Sequence, residues 1–248
     1  MPKLVSAVSQ NFPDVPNETV QRLVRDMGRD GFGVVTNYIQ PRELLELRSF
    51  VASAVQRAAD EYVAFTGRDA ISGTILDALY QSSTFFSLCK RVYEHGTRHA
   101  APKAAYYLIL RCLTGQTGQR HSLIFHYDSY VVTALLPIEI PTEGGSGDLI
   151  ILHNRRKIRR LYTTNLLDKI ILDNKLSQVL LRYLVSHQLI RATRVTLTPG
   201  NVYFFWGYRT VHTNAPCDPD KIRATALFHY GDPHADSRLR RLMGKVVV

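Results

Sequence analysis

From about residue 103 onward the sequence breaks into short aliphatic and aromatic runs: AAYYLILRC, HSLIFHY, SYVVTALLPI, GDLIIL, RVTLT, NVYFFW and RATALFHY. Thr-Gly-Gln-Thr-Gly, Glu-Gly-Gly-Ser-Gly, Pro-Gly-Asn and Ala-Pro separate most of them. Each run is too short for a helix of its own and is bounded by residues that reverse a chain, which is how the strands of an antiparallel barrel or jelly roll read. None approaches the ~20 apolar residues a membrane-spanning helix needs. One insertion breaks the series at about 155–190. It carries Arg155-Arg156-Lys157-Ile158-Arg159-Arg160 and then Leu166, Leu167, Ile170, Ile171, Leu180, Leu181 and Leu184 at helical spacing.

The preceding stretch, 1–102, has a different period. Val20, Leu23, Val24 and Met27 predict a helix over 17–28 that stops at Gly28 and Gly31. A short strand is expected over 33–39. Pro41 then opens a second helix to about 65, with Leu44, Leu47, Phe50, Val51, Ala54 and Val55 inward. A third is expected over 83–94, capped by Ser82 or Ser83. The fold class this predicts is α+β. Helices of the N-terminal part pack on the sheet of a jelly-roll core at 103–232, and a basic tail continues the chain at 233–248. A chain of 248 residues suits one such domain.

Three cysteines (Cys89, Cys112, Cys217) are odd in number and lack a CxxC pair, which argues for reduced thiols and against a zinc-thiolate site. The N-terminal stretch has no sustained apolar region of the kind a secretory signal carries. A cytoplasmic setting is expected. The net charge of +10 sits partly in the 155–160 run and partly at Arg238, Arg240, Arg241 and Lys245. In the tail it reads as a solvated face; in the insertion it is compatible with an attraction for anions.

Two His-x-acid pairs stand in the chain, His126-Tyr127-Asp128 and His234-Ala235-Asp236. Nine histidines and 21 acidic residues in 248 positions give roughly 0.8 such pairs by chance, so the pair alone says little. The residues downstream of His126 say more. A strand from Tyr130 to Pro137, a glycine-rich turn, Gly147-Asp148-Leu149 and the turn Leu197-Thr198-Pro199-Gly200-Asn201 lead to His212. Arg223 lies 11 positions further and opens another strand. Two imidazoles and one carboxylate on one face of an octahedron suit Fe(II) and leave adjacent positions for a chelating α-keto acid and dioxygen. An arginine offers that co-substrate's distal carboxylate a planar, always charged partner. Strand alternation puts Thr225 on the Arg223 face, where its hydroxyl can donate to the same carboxylate.

These residues, in this order, resemble the iron(II)- and 2-oxoglutarate-dependent dioxygenases of the double-stranded β-helix fold. Asp30-Gly31-Phe32-Gly33-Val34-Val35 with Pro41-Arg42-Glu43-Leu44, and Pro199-Gly200-Asn201-Val202 before His212, are most similar to the phytanoyl-CoA hydroxylase-like branch. The resemblance implies that His126, Asp128 and His212 bind Fe(II), and that Arg223 and Thr225 bind 2-oxoglutarate. Thr133 and Tyr107 are candidates for further contacts to the co-substrate, as is Arg111. The implied reaction consumes O2, decarboxylates 2-oxoglutarate to succinate and CO2, and attacks an unactivated C–H bond. Related halogenases have a small residue where Asp128 stands, so hydroxylation, desaturation or cyclisation is implied here. The branch's Pro-Gly-Ser-His turn is replaced by Leu149-Ile150-Ile151-Leu152-His153-Asn154-Arg155, which leaves the substrate open.

The expected partner is a small molecule, anionic or carrier-linked given the basic insertion, which lies where a lid over the site is natural. Nucleic acid is not expected: where the nucleic-acid demethylases of this superfamily show an Arg…Arg pattern six apart, the second position here is His229. A non-catalytic cupin-like binding protein is the alternative from another class. His153 is open between substrate contact and surface, and His121 is expected to be structural. Trp206 and Tyr208 are expected in the core.

Overall fold

A computed structural model describes residues 12–103, 106–153 and 156–243. Arg155 of the basic run and Lys245 of the tail lie outside these. The three expected helices of the N-terminal part are present as α1 (Asn17–Arg29), α2 (Pro41–Arg57) and α4 (Ser83–Thr97), and a further short helix that periodicity did not predict, α3 (Ile75–Gln81), precedes the last of them. Gln40 and Glu43 form a reciprocal capping box on α2, and Pro41 fills its first turn. The hydroxyls of Thr74 and Ser82 cap α3 and α4.

The second helix ends at Arg57, earlier than its periodicity predicts. Ala59 and Asp60 take positive φ and turn the chain into a strand, β2 (Val63–Thr66). The remaining strands are β1 (Phe32–Val35), β3 (Tyr107–Leu113), β4 (Val132–Glu139), β5 (Leu149–Leu152), β6 (Ala192–Val195), β7 (Val202–Phe205), β8 (His212–Asn214) and β9 (Arg223–Tyr230). They form a six-stranded sheet in the order β1-β7-β4-β9-β3-β2 and a three-stranded sheet β6-β5-β8, antiparallel throughout. This is the double-stranded β-helix. The Thr-Gly-Gln-Thr-Gly segment, expected as a turn, instead winds into a short helix, α5 (Gly115–Arg120).

Period-2 alternation explains how the large sheet serves two neighbours. Leu108, Leu110 and Cys112 of β3, Ala134 and Leu136 of β4, Phe204 of β7, and Ala224, Ala226 and Phe228 of β9 face the helices. There they join Leu23, Met27, Leu47, Phe85 and Leu88 in the main core. The opposite residues of β4 and β7, Leu135, Tyr203 and Phe205, meet Leu149 and Ile151 of the small sheet. That inner face also carries Thr133, Arg223, Thr225 and His229.

The insertion forms α6 (Tyr162–Asp173) and α7 (Lys175–Ser186) between β5 and β6. Its leucines do not all turn inward. Leu172 is buried with Phe125 and Val211, whereas Leu167, Ile170, Ile171, Val179 and Leu180 are more than half exposed. The seat of the insertion is polar. The Arg156 guanidinium lies between the rings of Tyr127 and Tyr208 at 3.8 and 4.3 Å, and bonds Asp168 and Asn165 of α6 and the Tyr208 carbonyl. Gln178 of α7 bonds both the N–H and the C=O of Phe125.

Candidate active site

The segment before Asp128 reads as a strand by its composition. It meets β8 without forming a regular ladder: His126 and His212 exchange backbone N–H···O bonds of 3.1 Å, and the Leu123 N–H donates to the Asn214 carbonyl at 2.9 Å. Residues that face each other in this way present their side chains to the same side of the sheet, and the two rings stand 4.5 Å apart. The chain then turns, and the Asp128 N–H donates to the Gly207 carbonyl at 2.9 Å. Gly207 is needed there: a Cβ on it would run into Asp128 Oδ2 and Thr133 Oγ1.

Both imidazoles have their tautomer set by the backbone. The Nδ1–H of His126 donates to the Ile124 carbonyl at 2.9 Å, and that of His212 to the Thr210 carbonyl at 3.0 Å. Each Nε2 therefore keeps its lone pair. Both point at one oxygen, Asp128 Oδ1, at 3.6 and 3.4 Å, and the three donor atoms lie within 4.8 Å of one another. This is the only such cluster of histidine, cysteine and acidic side chains among the described residues. Two neutral imidazoles and a carboxylate with an open side are the donor set that Fe(II) takes in a facial triad. The residues fit the ion.

The electrostatics of the metal-free cluster differ between the two rings. Burial, and then its neighbour His212, lower the His126 pKa to about 4, so this ring stays neutral at physiological pH. Asp128 is pulled well below the usual carboxylate range: burial opposes ionisation, but His212, His229 and His126 together outweigh it. His212 is buried, which disfavours its cation, yet Asp128 raises its pKa above the ordinary value.

The other oxygen of Asp128 is held from behind. Thr133 Oγ1 donates to Asp128 Oδ2, and His229 Nδ1 lies 3.0 Å from the same hydroxyl and 3.5 Å from the same carboxylate oxygen. The threonine has one proton to give. With that on the carboxylate, His229 Nδ1–H is the donor to Thr133.

Arg223 lies four residues before Leu227 on the same face of β9 and is 4% exposed. Its Nε donates to the Gly147 carbonyl at 2.7 Å and its Nη1 to Thr225 Oγ1 at 3.3 Å. Gly147 has φ of +71° and would, with a Cβ, strike the arginine's stem. Burial, then Arg111, lower the Arg223 pKa to about 10, still charged at neutral pH. Among the described residues no carboxylate comes within ion-pair distance of it. A small cavity joins it to the triad, lined by Arg111, His126, His212, Asn214, Arg223 and Thr225.

Tyr107 and Thr133 are set apart from Arg223. Register places both opposite His229, six residues along β9, or roughly 20 Å of strand away. Tyr107 stacks on Tyr130 and His229. Arg156 and Arg159, expected to attract an anion, are both occupied by Asp168. His153 bonds Thr193 at 2.6 Å, and His121 stacks on Tyr62. Trp206 and Tyr208 are buried, as expected. Sequence reasoning missed the service of Thr133 and His229 to Asp128, although alternation already put His229 on the Arg223 face. It also missed Lys169, whose Nζ donates to Ser129 Oγ beside Asp128 at 2.9 Å.

No family model matches the chain, and no curated protein matches it in sequence. Solved structures do match in fold. The non-heme α-ketoglutarate-dependent epimerase SnoN of nogalamycin biosynthesis is 14% identical, with 88% of this chain and 84% of that one covered and a TM-score of 0.53. A prolyl hydroxylase of Trichoplax adhaerens, in complex with a hypoxia-inducible-factor peptide, is 14% identical over 89% and 94%, TM-score 0.56. A prolyl-4-hydroxylase of Pseudomonas putida is 11% identical over 91% and 98%, TM-score 0.51. At these identities the likeness is one of fold, and it does not single out the phytanoyl-CoA hydroxylase-like branch. Among the described residues no helix is long and apolar enough to cross a membrane.

Proposed function

We propose that this chain is an Fe(II)- and 2-oxoglutarate-dependent oxygenase acting on a small molecule, with hydroxylation of an unactivated C–H bond as its reaction type. The observation that carries the reading is the pairing of the triad with Arg223. A buried guanidinium without a carboxylate is costly unless an anion arrives to meet it. This one shares a cavity with two imidazoles whose lone pairs are free for a metal. An α-keto diacid, which can chelate at one end and carry a second carboxylate at the other, answers both demands.

His126, Asp128 and His212 would hold the metal, and Arg223 with Thr225 the distal carboxylate, with Arg111 a second cation facing the same cavity. Bound iron would supply the oxidising chemistry, coupled to decarboxylation of the co-substrate. The chain's own work is positional. Thr133 and His229 hold Asp128 Oδ2, so that Oδ1 is presented with the two Nε2 atoms. The apolar side chains of Leu135, Leu149, Phe205 and Leu227 wall the cavity against water.

The test is spectroscopic. Anaerobic Fe(II) with 2-oxoglutarate is expected to give a weak visible charge-transfer band in the wild type and none in Asp128→Ala or His212→Ala. A wild type without the band would favour the non-catalytic binding protein.

A further inference from the structure

Besides Arg223, Lys169 reaches the metal side of the barrel with no carboxylate within ion-pair distance among the described residues. The clamp on Arg156 explains how it gets there. Asn165 and Asp168 are the α6 residues that Arg156 grips. Lys169 is the neighbour of Asp168 and lies one turn beyond Asn165, on the face the clamp draws inward. Its ammonium is half-buried and donates to Ser129 Oγ, next to Asp128. Among the described residues no carboxylate oxygen lies within ion-pair distance of Nζ. Asp128 and Asp173 act on it only from further off, and Arg156 and Arg240 add positive charge around it. Burial draws the Lys169 pKa below its usual value, the direction expected for an ammonium held in place without a counter-ion.

The charges of a loaded site sharpen the point. A ferrous ion, the Asp128 carboxylate and the two carboxylates of 2-oxoglutarate leave one net negative charge, which Arg223 alone would balance. Arg111 and Lys169 are then both in excess. Lys169 acts on His229, six residues along β9 from Arg223, and so stands beside an aromatic shelf. Tyr130, the residue after Ser129, lies parallel to the half-exposed Tyr107 ring at 5.6 Å and 7°, and His229 stacks against both.

Building on the oxygenase reading, we propose that Lys169 anchors the anionic group of the substrate, an organic acid whose body lies along the Tyr107–Tyr130 shelf. The insertion thus selects substrates through a lysine that it lends to the site, and Arg156 of its basic run serves to hold it down.

Phenylacetate, phenyl phosphate and neutral phenylacetamide are suitable probes, titrated by calorimetry into the anaerobic complex of protein, Fe(II) and 2-oxoglutarate. The wild type is expected to bind at least one of the two anions about tenfold tighter than the amide. Lys169→Met is expected to bring all three within about twofold, and Lys169→Arg to restore part of the preference. Which anion is preferred tells a carboxylate site from a phosphate site. Equal binding of anion and amide by the wild type, or an undiminished anion preference in Lys169→Met, would overturn the anchor. The charge-transfer band is read in every sample. Its absence from the wild type would bring down the oxygenase reading itself, whereas a normal band with unchanged anion preference would remove Lys169 alone.

Discussion

A metal carboxylate does its work with one oxygen only if something decides which one. Here Thr133 Oγ1 occupies Asp128 Oδ2, His229 backs the threonine, and Gly207 leaves room for both. Partners of this kind typically contribute about tenfold to a hundredfold in metal affinity. Thr133→Val keeps the volume and deletes the proton. It is expected to weaken Fe(II) binding by about that factor, with Thr133→Ser restoring it. Titration with Co(II), whose visible spectrum reports ligand geometry, separates a misplaced carboxylate from a damaged fold; wild-type affinity and spectrum in the valine variant would refute the role. Little of this is legible beforehand. The His-x-Asp, distal His and Arg order is written along the chain and needs only strands between its parts. The link from Thr133 to His229 needs the register of β4 against β9, which periodicity does not contain.

Elements can be right in kind and still surprise in how they are held. The insertion reads as helical and is helical, yet it is not seated on its apolar residues alone, several of which face outward. Its attachment is the Arg156 clamp, a guanidinium side chain 7% exposed between two tyrosine rings with Asp168 and Asn165 as acceptors. Breaking one partner of a buried pair costs about 3 kcal/mol at the lower end of its range, fitting here because Asp168 keeps Arg159. Arg156→Met is therefore expected to destabilise by about 3 kcal/mol and to speed amide exchange in α6 before the barrel strands. Arg159 is 42% exposed, and its loss is expected to leave stability nearly unchanged, as for other solvent-screened pairs. Equal exchange in both variants would show that the leucines, not the clamp, hold the insertion. The same limit of periodicity hid β2. The apolar spacing of 41–65 continues past the point where Ala59 and Asp60 take positive φ and end the helix.

At the scale of the molecule, the short runs and turn residues after 103 were enough to give the jelly roll, because two facing antiparallel sheets are what such runs can build. They say nothing of the price in protons of lining its interior with imidazoles. His229 is buried and burial lowers its pKa; His126, His121 and His234 are lowered too, in each case by burial first, His126 to about 4. Unfolded, all would titrate near 6.5. Below that pH the unfolded chain binds more protons than the folded one, so stability rises with pH. The contribution of these four is complete above about 6.5 and is lost as the pH falls through their lowered folded values, about 4 for His126. His212, raised by Asp128, has the opposite sign, being favourable below about 6.5 and fading as the pH climbs through its folded value. Four groups against one predict that the metal-free protein melts at progressively lower temperature between pH 7 and pH 5. The net charge of +10 adds self-repulsion of the same sign, but salt screens repulsion and leaves burial untouched, so the fall is expected to survive about 0.5 M salt. A divalent ion competes with protons for His126 and His212. The rise in melting temperature on adding Co(II) is therefore expected to be largest near pH 7.5 and to shrink steadily on acidification. Melts with chelator and with Co(II) across that range decide it: a flat metal-free profile would mean that the imidazoles are hydrated, and a Co(II) effect independent of pH would place the ion somewhere other than on His126 and His212.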